Sequence, residues 1–201
     1  MSDLLTRDKL VFNQKAKLIE LTASFAIRDI GGNQIGKIQQ EGQSKVKKLA
    51  RLVTSLDQFM THTLSVYDGS GTKVVELTRP AKFIKSTLIV RDGNGVDAGK
   101  IVQQNAIGKI RFALQDAQGS AIGSINAENW RAWNFSIKDG SETEVARITK
   151  TWEGLAKTLF TTADDYLLEV SGPTSPALRL LILASAAGVD LALKQDARGF
   201  N

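Results

Sequence analysis

Apolar and polar positions along this chain recur in a 14-residue pattern that appears five times. The copies are Phe25–Ile38, Leu64–Leu77, Leu88–Ile101, Phe112–Ile125 and Phe135–Ile148. Position 1 is Phe or Leu, position 3 is Ile, Val or Leu, and the positions after them are mostly polar. That alternation is the period of a half-buried strand. Position 5 is always Asp, and position 8 is Gly in four of the five copies. An Asp carboxylate accepts bonds from the N–H groups just ahead of it, and Gly supplies positive φ, so the middle of each copy predicts a tight turn. Asp29, Asp68, Asp92, Asp116 and Asp139 are therefore read as turn residues, not as acids that share a metal or a proton.

The second arm of each copy has apolar residues at positions 11 and 14, a spacing that strict alternation cannot place on one face. Gly at position 12 (Gly36, Gly99, Gly123) predicts a bulge that turns the arm inward again. Each copy thus predicts a β-hairpin with a curved second strand. Start-to-start spacings of 39, 24, 24 and 23 residues place one insertion between the first two hairpins.

Two segments break the β pattern. Ser44–Asp57 carries Val46, Leu49, Val53 and Leu56 on a helical stripe, with Lys47, Lys48 and Arg51 opposite and Lys45 at the edge. Such a helix suits an anionic bilayer surface. At about 1 kcal/mol per cation, four cations supply about 4 kcal/mol, a reversible attachment. The same pattern also fits a helix that closes one end of the β structure with its cations in water. The second segment, Ser175–Leu193, is apolar nearly all round, which means burial on every side. Ser175 followed by Pro176 is a helix start. Its uncharged stretch, between Arg179 and Asp190, is ten residues, against about 20 for a bilayer span. The expectation is a core helix, long enough to run the length of a closed barrel.

Length and composition narrow the reading. The chain has 201 residues, three prolines and no Ser/Gly-rich linker, which predicts one domain over 9–194, a helical insertion at about 43–58 and a short tail at 195–201. With no cysteine there is no disulfide framework, thiolate metal site or cysteine nucleophile. The first residues hold no apolar signal core, so a cytoplasmic location is expected. The net charge of +5 is concentrated early: residues 1–60 hold ten Lys/Arg against six Asp/Glu.

Little in the chain resembles a catalytic centre. The single histidine, His62, stands before the second hairpin in a strand-like context. Glu142/Glu144 and Asp164/Asp165 are carboxylate pairs that surface solvation explains. No phosphate loop, zinc spacing or nucleophile elbow is present. Trp130 and Trp133 flank Arg131 in ENWRAWNF, a cluster suited to a membrane interface or lipid headgroup.

At residue level the chain resembles the phospholipid scramblase family and the related LURP-one-like proteins, which share the tubby-like C-terminal domain. LVFNQKAKLIELTASFAIRD (10–29) is similar to the opening pair of strands, and LSVYDGSGTKVVELTRP (64–80) to a hairpin ending in Arg-Pro. Residues 136–170 carry the most specific likeness, with Ile148, Lys150, Trp152, Gly154, Phe160, Thr161, Ala163, Asp164 and Tyr166 in the family's order. The resemblance implies a mainly β fold: a closed antiparallel barrel of about twelve strands around a buried C-terminal helix. It implies a membrane-associated, phospholipid-interacting protein, with lipid scrambling as the activity the family name carries. The alternative is a soluble phosphoinositide- or headgroup-binding scaffold of the tubby-like class. Candidate headgroup contacts are Lys45, Lys47, Lys48, Arg51 and Arg131.

The chain departs from the family where eukaryotic members carry a palmitoylated cysteine cluster and a calcium segment. Thr162, Leu167 and Pro173 replace that segment's acidic, glycine and acidic residues, leaving Asp164 and Asp165. Adjacent strand residues point to opposite faces, and calcium needs six to eight oxygens, so no tight calcium site and no other cofactor is expected. An anionic phospholipid or membrane surface is the expected partner, peripheral and at the cytosolic face. Nucleic acid is not expected, because no recognition helix, stacking pattern or arginine-rich arm accompanies the high pI.

Overall fold

A computed structural model describes residues 2–13, 24–41, 61–80, 86–105, 108–128, 134–149 and 165–193. Twelve strands run in chain order: β1 Lys9–Asn13, β2 Ser24–Arg28, β3 Gln34–Glu41, β4 His62–Asp68, β5 Lys73–Arg79, β6 Thr87–Asp92, β7 Asp97–Gln103, β8 Arg111–Gln115, β9 Ala121–Ala127, β10 Phe135–Asp139, β11 Glu144–Thr149 and β12 Asp165–Val170. Among the described residues one long helix, α1, spans Pro176–Leu193. The strands pair as antiparallel neighbours, and β1 closes the sheet by pairing with both β2 and β12. Closure removes the unpaired edges that an open sheet would expose.

The five hairpins are β2–β3, β4–β5, β6–β7, β8–β9 and β10–β11, and each Asp does what its position predicts. Asp68 Oδ1 accepts the N–H groups of Ser70 and Thr72, each at 3.0 Å. Asp92, Asp116 and Asp139 repeat the pair of bonds on Asn94/Val96, Gln118/Ser120 and Ser141/Thr143. Position 8 is left-handed throughout: φ is 83–85° at Gly32, Gly71, Gly95 and Gly119. In the fifth hairpin Glu142 takes that place at φ 63°.

The bulge is present in all five hairpins, one residue away from the glycine that predicted it. Pairing shifts between positions 3 and 4, for example between Ile27 and Arg28, which face Gly36 and Gln34. The extra residue is position 11: Ile35, Val74, Ala98, Ile122 or Val145. Position 12 then faces inward with positions 1, 3 and 14. At Gly36, Gly99 and Gly123 it is small because a carbonyl of the neighbouring strand occupies the space, with Leu4 or Leu178 beside it at Gly36 and Gly123. A Cβ on Gly123 would lie 2.5 Å from Lys138 O and 3.2 Å from Leu178 Cδ1, and one on Gly36 would lie 2.7 Å from Tyr67 O and 3.0 Å from Leu4 Cδ1.

Helix α1 fills the barrel. Ser175 caps it, its Oγ accepting the Leu178 N–H at 3.2 Å. Leu181, Ile182 and Ala184 are fully buried, and Leu183 and Ser185 nearly so. They meet the inward residues Ile27, Val66, Val90, Leu114 and Ile137, all at 0% exposure, in one continuous core. Burying each of the Leu, Ile and Val side chains among them contributes about 1.5–3 kcal/mol. At 1.5 Å per residue α1 is about 27 Å long, from Leu178 beside Gly123 near the hairpin turns to Gly188 against Leu77 and Leu88 toward the other end. The outward wall is polar, with Lys37, Glu76, Arg91, Lys100, Ser124 and Arg147 among its residues. A barrel whose wall faces lipid has the reverse pattern.

Glu142 is strained where its four counterparts are not. Glu142→Gly is expected to raise stability by about 0.5–1 kcal/mol, because relief of the left-handed conformation exceeds the glycine's entropy penalty. The converse Gly119→Glu is expected to lower it by about 0.5–1 kcal/mol, the same difference with the opposite sign. Urea denaturation of the two variants against the parent chain measures both.

Candidate functional site

The antiparallel order gives the barrel two unlike ends. One holds the five Asp turns and the start of α1, covered by a 3-10 turn at Asp3–Leu5. At the other end lie the strand ends that the longer connections join in sequence, 14–23, 42–61, 80–86, 104–110, 128–134 and 150–164, and the 194–201 tail follows α1 in sequence. In sequence these connections and the tail hold fourteen Lys/Arg against six Asp/Glu, whereas the rest of the chain holds twelve against fifteen. The connections are net basic and the strands, turns and helix net acidic.

In sequence, every candidate headgroup residue falls within one of these connections. Lys45, Lys47, Lys48 and Arg51 come between β3 and β4, and Arg131 comes between β9 and β10. All five lie outside the described residues, as do Trp130, Trp133 and the helical insertion. Asp164 is outside as well, and Asp165 opens β12 in register with Asn13. Among the described residues no group of three or more His, Cys, Asp or Glu is placed to hold a metal ion.

The other carboxylates singled out from the sequence have structural partners. Glu142 sits in its turn 3.4 Å from Lys138 Nζ. Glu144 accepts the Ser136 hydroxyl at 2.6 Å and pairs with Arg147. On the wall, Tyr67 donates to Glu41, which holds the Glu41 carboxyl below its ordinary value and raises the Tyr67 phenol. Lys73 bridges Glu41 and Glu76 at 3.5 and 2.9 Å, and Lys37 lies over the Tyr67 ring at 5.5 Å. Such partly exposed pairs orient one another and contribute little stability each.

The structure also shows an inward polar group that the sequence reading did not single out. Arg79, Ser86 and Gln103 are buried at 1–2% exposure toward the connection end of β5–β7, and His62 pairs with Arg79 in register. Gln103 Oε1 accepts the Ser86 N–H at 2.8 Å, and Gln103 Nε2 donates to Asn105 O at 2.9 Å. The available signal was parity: Arg79 follows Val75 and Leu77 at the same two-residue step, so it had to face inward.

A closed twelve-stranded barrel plugged by its C-terminal helix is the tubby-like class. The family model described as Scramblase matches residues 1–193, and the chain belongs to the scramblase family. No curated protein and no solved structure matches it.

The turn carboxylates predict an acid limit. Asp29, Asp68 and Asp139 are held below the ordinary 3.8, chiefly by the side chains of Asn33, Ser70 and Ser141. A carboxyl depressed in the folded state stabilises the fold above its unfolded value and loses that contribution as pH falls through the folded one. Resistance to urea is therefore expected to fall below about pH 4. The combined Asp29→Asn, Asp68→Asn and Asp139→Asn variant keeps the acceptors without the charge and is expected to lose less over the same range.

Proposed function

We propose that this protein binds the surface of anionic phospholipid membranes through the connection end of its barrel, with Lys45, Lys47, Lys48, Arg51 and Arg131 as headgroup contacts. The observation that carries this reading is the segregation of charge: by sequence the excess of cations falls in connections whose flanking strand ends share one end of the barrel, and the Asp turns lie at the other. Cations near an anionic leaflet attract it within about a Debye length, while acids on the far side do not oppose them. Family membership supports it too, because scramblases are a phospholipid-related, transport-type family. The protein acts as a peripheral partner of the cytosolic leaflet. Among the described residues no helix is long and apolar enough to cross a membrane.

Binding without scrambling is the second reading, and the barrel interior favours it. Helix α1 occupies the space a headgroup would need, and the described wall is polar, so one copy offers no evident path between leaflets.

Flotation with vesicles of graded anionic content tests the first reading. Binding is expected to rise with anionic lipid, to weaken from low salt to 0.5 M salt on screening (Debye length about 3 Å at 1 M), and not to require calcium. Replacing Lys45, Lys47, Lys48 and Arg51 together by Gln is expected to weaken it by on the order of tenfold or more. Unchanged binding by the quadruple variant would rule out that segment. Lipid flip between leaflets in proteoliposomes separates scrambling from binding alone.

A further inference from the structure

Arg179 stands in the first turn of α1, where the positive end of the helix dipole disfavours a cation. Its side chain is only 11% exposed. Burial pulls its guanidinium down from its ordinary value, against the opposing charge of Asp8. What compensates it is the N-terminal segment. Nε donates to Leu5 O at 2.9 Å, Nη2 donates to Arg7 O, and Asp8 Oδ1 lies 4.0 Å away. The partners found for this guanidinium among the described residues all come from Leu5–Asp8.

The same segment covers the end of the barrel where α1 begins. Leu4 is buried at 1% exposure and seated against Gly36. Its neighbours are held more lightly: Ser2 Oγ donates to Asp68 Oδ2 at 3.1 Å, and Arg7 lies 4.0 Å from Asp29. None of residues 2–8 belongs to a strand. Asp8 O accepts the Val170 N–H at 2.7 Å and so joins the segment to the end of β12, just before β1 begins its pairing with β12 at Lys9, whereas the backbone bonds of residues 2–7 stay within the segment. Residues 2–7 can therefore detach without breaking the backbone pairing of the barrel, whereas α1 loses the carbonyl acceptors of a buried cation when they do.

We propose that residues 2–7, hinged at Asp8, are a latch on the central helix, so that their docking on Arg179 and their undocking set whether the first half of α1 is fixed inside a barrel that stays closed. The coupling is local, since one end of the helix depends on a strap that the sheet does not need. It does not depend on the membrane reading and is tested without lipid.

The experiment is hydrogen exchange followed by mass spectrometry on the full chain. It compares the parent with Arg179→Met, which keeps the stem and removes the donors, and with Leu4→Ala, which alters the strap and leaves the helix untouched. Amides in 180–188 are expected to exchange about tenfold faster or more in both variants, with those of β7–β9 at parental rates. If helix and strand amides speed up together, the two form one cooperative unit and the latch is wrong. Parental helix protection in both variants also overturns it. Should Arg179→Met fail to fold, Leu4→Ala alone decides between the same outcomes.

Discussion

A helix that is apolar on every side has to be enclosed on every side, and in this protein the enclosure is the sheet itself. Leu181, Ile182 and Ala184 reach zero exposure because inward residues from all round the barrel meet them. The requirement works in both directions. Without the helix, the inward positions of twelve strands would line a void, and interiors tolerate few voids larger than a water molecule. Without a closed sheet, the helix would expose its apolar surface to water. The hairpin repeat serves this mutual dependence. Its bulge at position 11 bends each second strand, and the small residue at position 12 makes room where the chain comes close.

Much of this was legible from local pattern. The Asp turns, the left-handed position 8 and the Ser175 cap follow from chemistry within a few residues, and each stands where the sequence places it. The bulge was legible in kind but not in place. Gly36 and Gly123 suggested a backbone irregularity, whereas their smallness answers a neighbouring strand's carbonyl and the side chains of Leu4 and Leu178. A sequence shows that a position is small; which neighbour makes it so depends on residues far away in the chain. Arg79 illustrates the same limit, because strand parity points it inward but the hydropathy of arginine argues the opposite.

The candidate site divides along similar lines. The sequence places the cations of Ser44–Asp57 on one face of an expected helix, which lies outside the described residues. That their connection shares one end of the barrel with 80–86, 128–134 and 150–164 emerges only when the strands are ordered. Charge segregation is thus a property of the topology acting on composition. It gives a membrane-binding reading a direction: connections toward the lipid, Asp turns and the Arg179 strap away from it. The central helix ends near the basic side and is fastened at the acidic one, so binding and helix retention involve opposite ends of the molecule.

Thiol accessibility tests the enclosed helix most directly, because the natural chain has no cysteine. Ser185→Cys places one thiol in the middle of α1, where the parent side chain is 2% exposed, and Gln118→Cys places one on an exposed turn. Under native conditions the Ser185→Cys thiol is expected to react with a maleimide at least about a thousandfold more slowly than the Gln118→Cys thiol, at a rate set by unfolding of the barrel. Comparable reaction rates in a folded protein would place the helix outside its sheet and contradict the account.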